Sequence, residues 1–254
     1  AGGKRRWCSL NLGLSIQGRS WIGGRPRLKV APVCFGVGES WPQTGRVLAG
    51  TEPARILFDG DEGLVNWLES TFPDTHKQRG LWHVVSQLYW PLWEDGLNKA
   101  QAKVWMGRLG KIIYHPEYTV PRSRGEMKSL ITQLHQEGLT NAAGYLEAAA
   151  PYVFTYREHP DGMFFDERRW ESCAISSTSP LERQMREINR RTDAGVRWST
   201  PGVQNLVGLD LVRRFDSAQW AALWRLPQPD CPEYSVVKLQ VRVQVAPPPN
   251  VKTT

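Results

Sequence analysis

The stretch Arg55-Ile56-Leu57-Phe58-Asp59-Gly60-Asp61-Glu62-Gly63-Leu64 decides the fold class. Arg55 to Phe58 make a compact apolar strand, and the turn residues Asp59-Gly60-Asp61 end it. Leu64, Val65, Trp67, Leu68 and Phe72 then recur at helical spacing, so a helix is expected from Glu62 to about Phe72. A strand feeding a helix through a short turn belongs to α/β architectures, in which carboxylates at strand ends project beyond the sheet. Asp59 is therefore a candidate functional residue, and Asp61 and Glu62 add negative charge beside it. The competing reading is local: Asp61 caps the helix and Asp59 shapes the turn.

Working outward, residues 7–17 alternate apolar with small or polar residues, as a half-buried strand does. The Gly-rich, basic stretch 18–27 reads as a hairpin connection that brushes DNA or is simply solvated, and 28–37 as a second strand. Ser40-Trp41-Pro42 opens a short helix through about Leu48. Residues 76–82 form another short strand, followed by a helix to about Trp93. From 95 to 150 the pattern is wholly helical, with Met127, Leu130, Ile131 and Leu134 on one face. Later helices are expected over about 181–192, 203–214 and 217–226. Strict alternation from Val237 to Val245 predicts a strand, and 247–254 a disordered tail.

The 254 residues are 41% hydrophobic and 22% charged, which suits one large core or two modest domains and argues against wholesale disorder. Lys and Arg number 32 against 25 Asp and Glu, a formal charge of +7 that favours a polyanionic partner. No apolar run approaches the ~18 residues of a membrane helix, and no signal-peptide pattern is present. Cys8, Cys34, Cys173 and Cys231 are too widely spaced for a zinc site and read as reduced cytoplasmic thiols. Most of the twelve tryptophans are expected in the core; Trp90, Trp93 and Trp105 are expected to pack between helices rather than stack on a base.

Glu182 carries the second candidate carboxylate. Ser179-Pro180-Leu181-Glu182 fits a capping box, with Glu182 reaching back to the Ser179 backbone. That leaves unexplained the basic run of Arg183, Arg186, Arg190 and Arg191 that follows. A carboxylate amid guanidiniums suits a site where a cation and a phosphate meet. His83 follows Gln78-Arg79-Gly80-Leu81-Trp82 at the end of the short strand; a lone histidine is more often structural than functional.

Taken in order, the Asp59-Gly60-Asp61-Glu62-Gly63-Leu64 turn, Gly80-Leu81-Trp82-His83, a helical insertion and the helix beginning Ser179-Pro180-Leu181-Glu182-Arg183 resemble the Mutator-type DDE transposases of bacterial and archaeal insertion sequences. The resemblance covers roughly residues 7–215. It implies an α/β, RNase H-like mixed sheet flanked by helices with an all-helical insertion. Residues 1–94 would begin the catalytic domain, 95–150 form the insertion, 151–226 complete the domain, and 227–254 supply a C-terminal strand and tail.

The resemblance also implies chemistry. Asp59 corresponds to the second carboxylate of the triad and Glu182 to the third, together holding Mg²⁺ or Mn²⁺ in a two-metal site. His83, with Asp61, would support that site; Gly80 stands where the family carries the Cys of a Cys-x-x-His signature. Arg183, Arg186, Arg190 and Arg191 would bind DNA. The implied partners are transposon-end and target DNA and further copies of the chain in a synaptic complex, with a cytoplasmic, nucleoid-associated location and no membrane. The family's first Asp lies on the first strand, whereas residues 1–58 contain no aspartate. The expectation is thus an N-terminally truncated or decayed enzyme, the alternative being a catalytically inactive RNase H-like remnant that binds DNA.

Overall fold

The structure, a computed structural model, describes residues 9–22, 25–159, 178–192 and 198–223. The chain divides into two compact units, Glu52–Thr178 and the combination of Ala1–Thr51 with Ser179–Thr254. In chain order the elements are β1 (Leu10–Ile22), β2 (Arg25–Val37), α1 (Trp41–Thr44) running into a 3-10 turn (Gly45–Leu48), β3 (Arg55–Phe58), α2 (Glu62–Thr71) and β4 (His76–Arg79). There follow α3 (Leu81–Gln87), α4 (Tyr89–Glu94), α5 (Lys99–Tyr114), α6 (Val120–Gln136), α7 (Thr140–Ala149) and α8 (Thr155–Glu158). The last described helices are α9 (Ser179–Thr192), α10 (Thr200–Phe215) and α11 (Ser217–Leu223).

In the unit that contains the N-terminal hairpin, β1 and β2 pair antiparallel from Leu10 opposite Val37 to Ile22 opposite Arg25. The stretch 18–27, expected as a loose connection, is therefore largely strand: once two adjacent strands pair, the ladder propagates to the tightest available turn. Gly13 sits opposite Cys34, and a Cβ there would come 2.6 Å from the thiol, so this crossing needs a glycine. Burial pushes the Cys34 thiol up to about 11, despite a hydrogen bond with the Gly13 backbone, which keeps it protonated and inert. The other three cysteines lie outside the described residues. Leu10, Leu12 and Leu14, two apart on one face of β1, pack with Ile188 of α9 and Val207 and Leu211 of α10.

The same helices share a buried carboxylate. Asp210 is 4% exposed, and Arg213 Nη2 lies 2.9 Å and Arg191 Nη2 3.4 Å from its Oδ1. Arg214 Nε stands 2.8 Å from Oδ2 without the alignment of a hydrogen bond, while Gln184 Nε2 donates to Oδ2 at 3.2 Å.

In the unit Glu52–Thr178, β3 and β4 pair parallel, from Arg55 opposite His76 to Phe58 opposite Arg79. The helices from α3 onward share one core running from Leu81 to Phe154, with Leu88, Leu92, Leu109, Leu134 and Leu146 fully buried. The helical body thus begins at Leu81, well before the change of character read at residue 95. Each long helix carries a local start signal. Asn98 accepts from Ala100 N and Gln101 N ahead of α5, and Thr119 accepts from Arg122 N ahead of α6.

The class is mixed α/β and mostly helical. Among the described residues the strands form two two-stranded sheets, one antiparallel and one parallel, rather than the single mixed sheet expected. The reason is local: the hairpin satisfies itself as one ladder in one unit, while β3 and β4 pair in the other. The strand expected over 237–245 and the tail expected over 247–254 lie outside the described residues. No described helix is long and apolar enough to cross a membrane.

Asp210→Ala should lower stability by about 2 kcal/mol in urea unfolding, since it leaves three guanidiniums facing one another. The value is discounted from a fully buried pair because the arginines are partly solvated. A loss within about 0.5 kcal/mol would mean that water already screens the cluster.

Candidate functional site

The parallel register ends β3 and β4 at the same level, and Gly80 N donates to Phe58 O at 2.8 Å, closing the edge where Asp59 emerges. Gly60 follows with φ +98, a left-handed conformation that favours glycine. It is also pressed close: a Cβ at this position would fall 2.0 Å from Arg79 Nε. Asp61 is the helix cap, its Oδ1 accepting from Leu64 N at 2.9 Å. Asp59 Oδ1 accepts only a long bond from Asp61 N, at 3.3 Å, and no other partner of this half-buried carboxylate occurs among the described residues. The capping role and the strand-end carboxylate therefore fall to different side chains.

Arg79, unforeseen in the sequence, underlies this turn. Its side chain is buried, with Nη2 donating to Gln87 Oε1 and to Tyr145 OH, both at 3.1 Å, and with Cζ 4.8 Å from the Tyr145 ring centroid. Nε is buried with no hydrogen-bond partner. Burial pushes the Tyr145 phenol up to about 12, against the opposing charge of Arg79. The phenol therefore stays neutral and donates to Val84 O at 3.0 Å. Arg79 thus sets a guanidinium, held by neutral partners, against the Gly60 turn.

His83 stands in the first turn of α3, half-buried, against the same edge. A Cβ on Gly80 would lie 3.3 Å from His83 Cδ2 and 3.2 Å from Thr178 Oγ1, so a larger residue at Gly80 would need its neighbours to give slightly. Asp59, Asp61 and His83 thus share one sheet edge of the unit Glu52–Thr178.

Glu182 and the arginines belong to the other unit. The helix α9 begins at Ser179, so Glu182 lies in its first turn, where an acidic side chain complements the helix dipole. Leu181, Gln184, Met185 and Ile188 face inward, and Arg183, Arg186 and Arg190 form an exposed stripe at spacings of three and four. Arg183 and Arg186 form no ion pair among the described residues, whereas Arg190 Nη1 pairs with Glu187 Oε1 at 2.7 Å. Arg191 is committed inward, to Glu187 and to Asp210, so its main role is structural.

Among the described residues, no group of three or more His, Cys, Asp or Glu side chains stands together as a cation site. The tryptophans divide. Trp105 is buried beneath the Arg108 guanidinium, as core packing requires. Trp90 and Trp93 are 61% and 59% exposed, which overturns the expectation that they pack between helices. No protein-family model, curated protein or solved structure matches this chain.

Asp61→Ala should cost about 1 kcal/mol in urea unfolding through the lost cap, and Asp59→Ala no more than about 0.5 kcal/mol. If Asp59→Ala costs the more, turn-shaping is the chief role of that carboxylate.

Proposed function

We propose that this chain is the catalytic portion of a Mutator-type DNA transposase, a DDE polynucleotidyl transferase, cleaving and joining strands at transposon ends. The observation that carries the reading is the division of labour in the strand-end turn: Asp61 caps the helix, and Asp59 offers a carboxylate with one long hydrogen bond at the tip of a parallel strand. Oxygen donors of this kind fit a hard divalent cation and not zinc. Asp59 would be one ligand of Mg²⁺ or Mn²⁺, a role that the resemblance gives to Glu182 as well, and the ion would supply an activated water or 3′-hydroxyl and a stabilised leaving oxygen.

The chain's own residues do the positioning. Arg183, Arg186 and Arg190 present an exposed guanidinium row to phosphate oxygens, and Arg191 holds α9 against α10 through Asp210. His83 braces the edge beside Asp59, and Asp61 fixes the helix that follows. The partners are transposon-end and target DNA, with further copies in a synaptic complex, and the location is cytoplasmic and nucleoid-associated.

The test is cleavage of end-labelled transposon-end DNA by a version of the chain that also carries the first carboxylate of the triad. Activity should require Mg²⁺ or Mn²⁺, and Asp59→Asn and Glu182→Gln should each abolish it while leaving DNA binding in place. Binding that survives without any metal-dependent cleavage would instead identify a non-cutting DNA-binding protein.

Replacing both Arg186 and Arg190 with Gln should flatten the log–log salt dependence of DNA binding by a slope of about 1 to 2. Arg190 contributes the lesser part because Glu187 already pairs with it. An unchanged slope would remove this face from the phosphate contacts.

A further inference from the structure

Arg79 carries a donor that finds no acceptor among the described residues. The residue is 6% exposed. Its Nη2 donates to Gln87 Oε1 on α3 and to Tyr145 OH on α7, but Nε is buried without a hydrogen-bond partner. Buried donors are nearly always paired, because each has given up a bond to water. A side chain needed only to fill this space would be apolar. A guanidinium with an orphaned N–H is kept where its shape and place have a use, and such compromises gather at functional sites.

The shape fits the turn beside it. A Cβ on Gly60 would fall at or within 2.5 Å of Nε, Cζ and Nη2, so one planar group abuts the Gly60 backbone through three of its atoms. The same group is gripped by α3 and α7 through Nη2, and the Tyr145 ring centroid stands 4.8 Å from Cζ. Rigid and held on both sides, it links the helical body to the turn as a strut.

The turn lacks any other support at its centre among the described residues. Upstream, Gly80 N donates to Phe58 O at 2.8 Å; downstream, Asp61 Oδ1 caps α2 through Leu64 N at 2.9 Å. Between these fixed points Gly60 has φ +98, and Asp59 has only its 3.3 Å bond from Asp61 N. A rotation at Gly60 would move Asp59 relative to α2, and the Arg79 guanidinium stands in the way of it.

We propose that Arg79 is a positioning residue for Asp59: its guanidinium holds the Gly60 turn, and through it the carboxylate, in place at the strand end. The use of that placement rests on the metal-binding role proposed above for Asp59. Displacing a reacting group by about 1 Å can cost ~100-fold in rate, so a strut remote from the substrate matters to the chemistry.

Two readouts on the chain that carries the first carboxylate test this. Hydrogen exchange needs no chemistry: Arg79→Met should speed exchange across residues 60–65 at least ~10-fold and leave α5 and α6 unchanged. In single-turnover cleavage at saturating DNA, Arg79→Met should lower the rate about 100-fold, with DNA affinity within about twofold of wild type. Arg79→Lys keeps the charge without the planar group and should stay at least ~10-fold below wild type. Leu130→Ala, a core change away from the turn, should lower the urea midpoint and leave both readouts at the wild-type level. Unchanged exchange in the turn, a cleavage rate within about threefold of wild type, or a loss of DNA affinity that accounts for the lost rate overturns the proposal. If the unsubstituted chain does not cleave and Arg79→Met still loosens the turn, the strut stands and the metal role of Asp59 falls, so the two failures are told apart.

Discussion

The strand β4 reads His76-Lys77-Gln78-Arg79, with no apolar side chain, yet Lys77, Gln78 and Arg79 are all buried. Burying such groups is costly unless each finds a partner, and a two-stranded parallel pair has little stability of its own. Gln78 resolves both difficulties. Its Nε2 donates to Arg79 O at 2.6 Å and to Val153 O at 3.0 Å, and its Oε1 accepts from Tyr156 N at 2.9 Å. One amide thus ties the strand to the chain leaving the helical body. Lys77 meets Pro73 O, Thr75 O and Glu69, and Arg79 meets Gln87 and Tyr145. The position of Asp59 follows from this polar anchoring, because β3 is placed by β4 and β4 is placed by its amides and cations.

The sequence disclosed what is local and concealed what is not. The β3 strand, the acidic turn and α2 are legible because apolar period and capping chemistry lie within a few residues of one another. The end of β4 is less so: the strand stops at Arg79 and α3 starts at Leu81, although the apolar run continues through Trp82. Gly80 makes the difference, its N–H closing the sheet edge on Phe58 while its carbonyl accepts from Val84 N and begins the helix. Arg79 had no signal at all, since its partners Gln87 and Tyr145 lie on α3 and α7 and only folding brings them together.

The arginines of α9 illustrate the same limit. Their spacing separates an outward stripe from an inward position, but a basic run alone cannot say which guanidinium is already neutralised. Asp210 decides that, from another helix, by drawing in Arg191, Arg213 and Arg214. Glu187 adds a second carboxylate that reaches Arg190 and Arg214. What remains open to a polyanion is Arg183 and Arg186 in full and Arg190 in part. The phosphate-binding capacity of the helix is accordingly smaller than its count of basic residues.

Tryptophan composition misleads for a related reason. A large ring is usually buried, and Trp105 obeys that rule. The run 81–94 carries a visible period of its own, with leucines and valine on one side and three indoles on the other. That period emerges only when α3 and α4 are taken as one helical stretch rather than as a strand end followed by a short helix. Water meets those indoles along one side of a run, residues 81–94, that contains no Lys or Arg. Indoles this exposed keep most of their ring against water, a cost that the burial of Leu81, Val84, Leu88 and Leu92 on the other side of the same run outweighs.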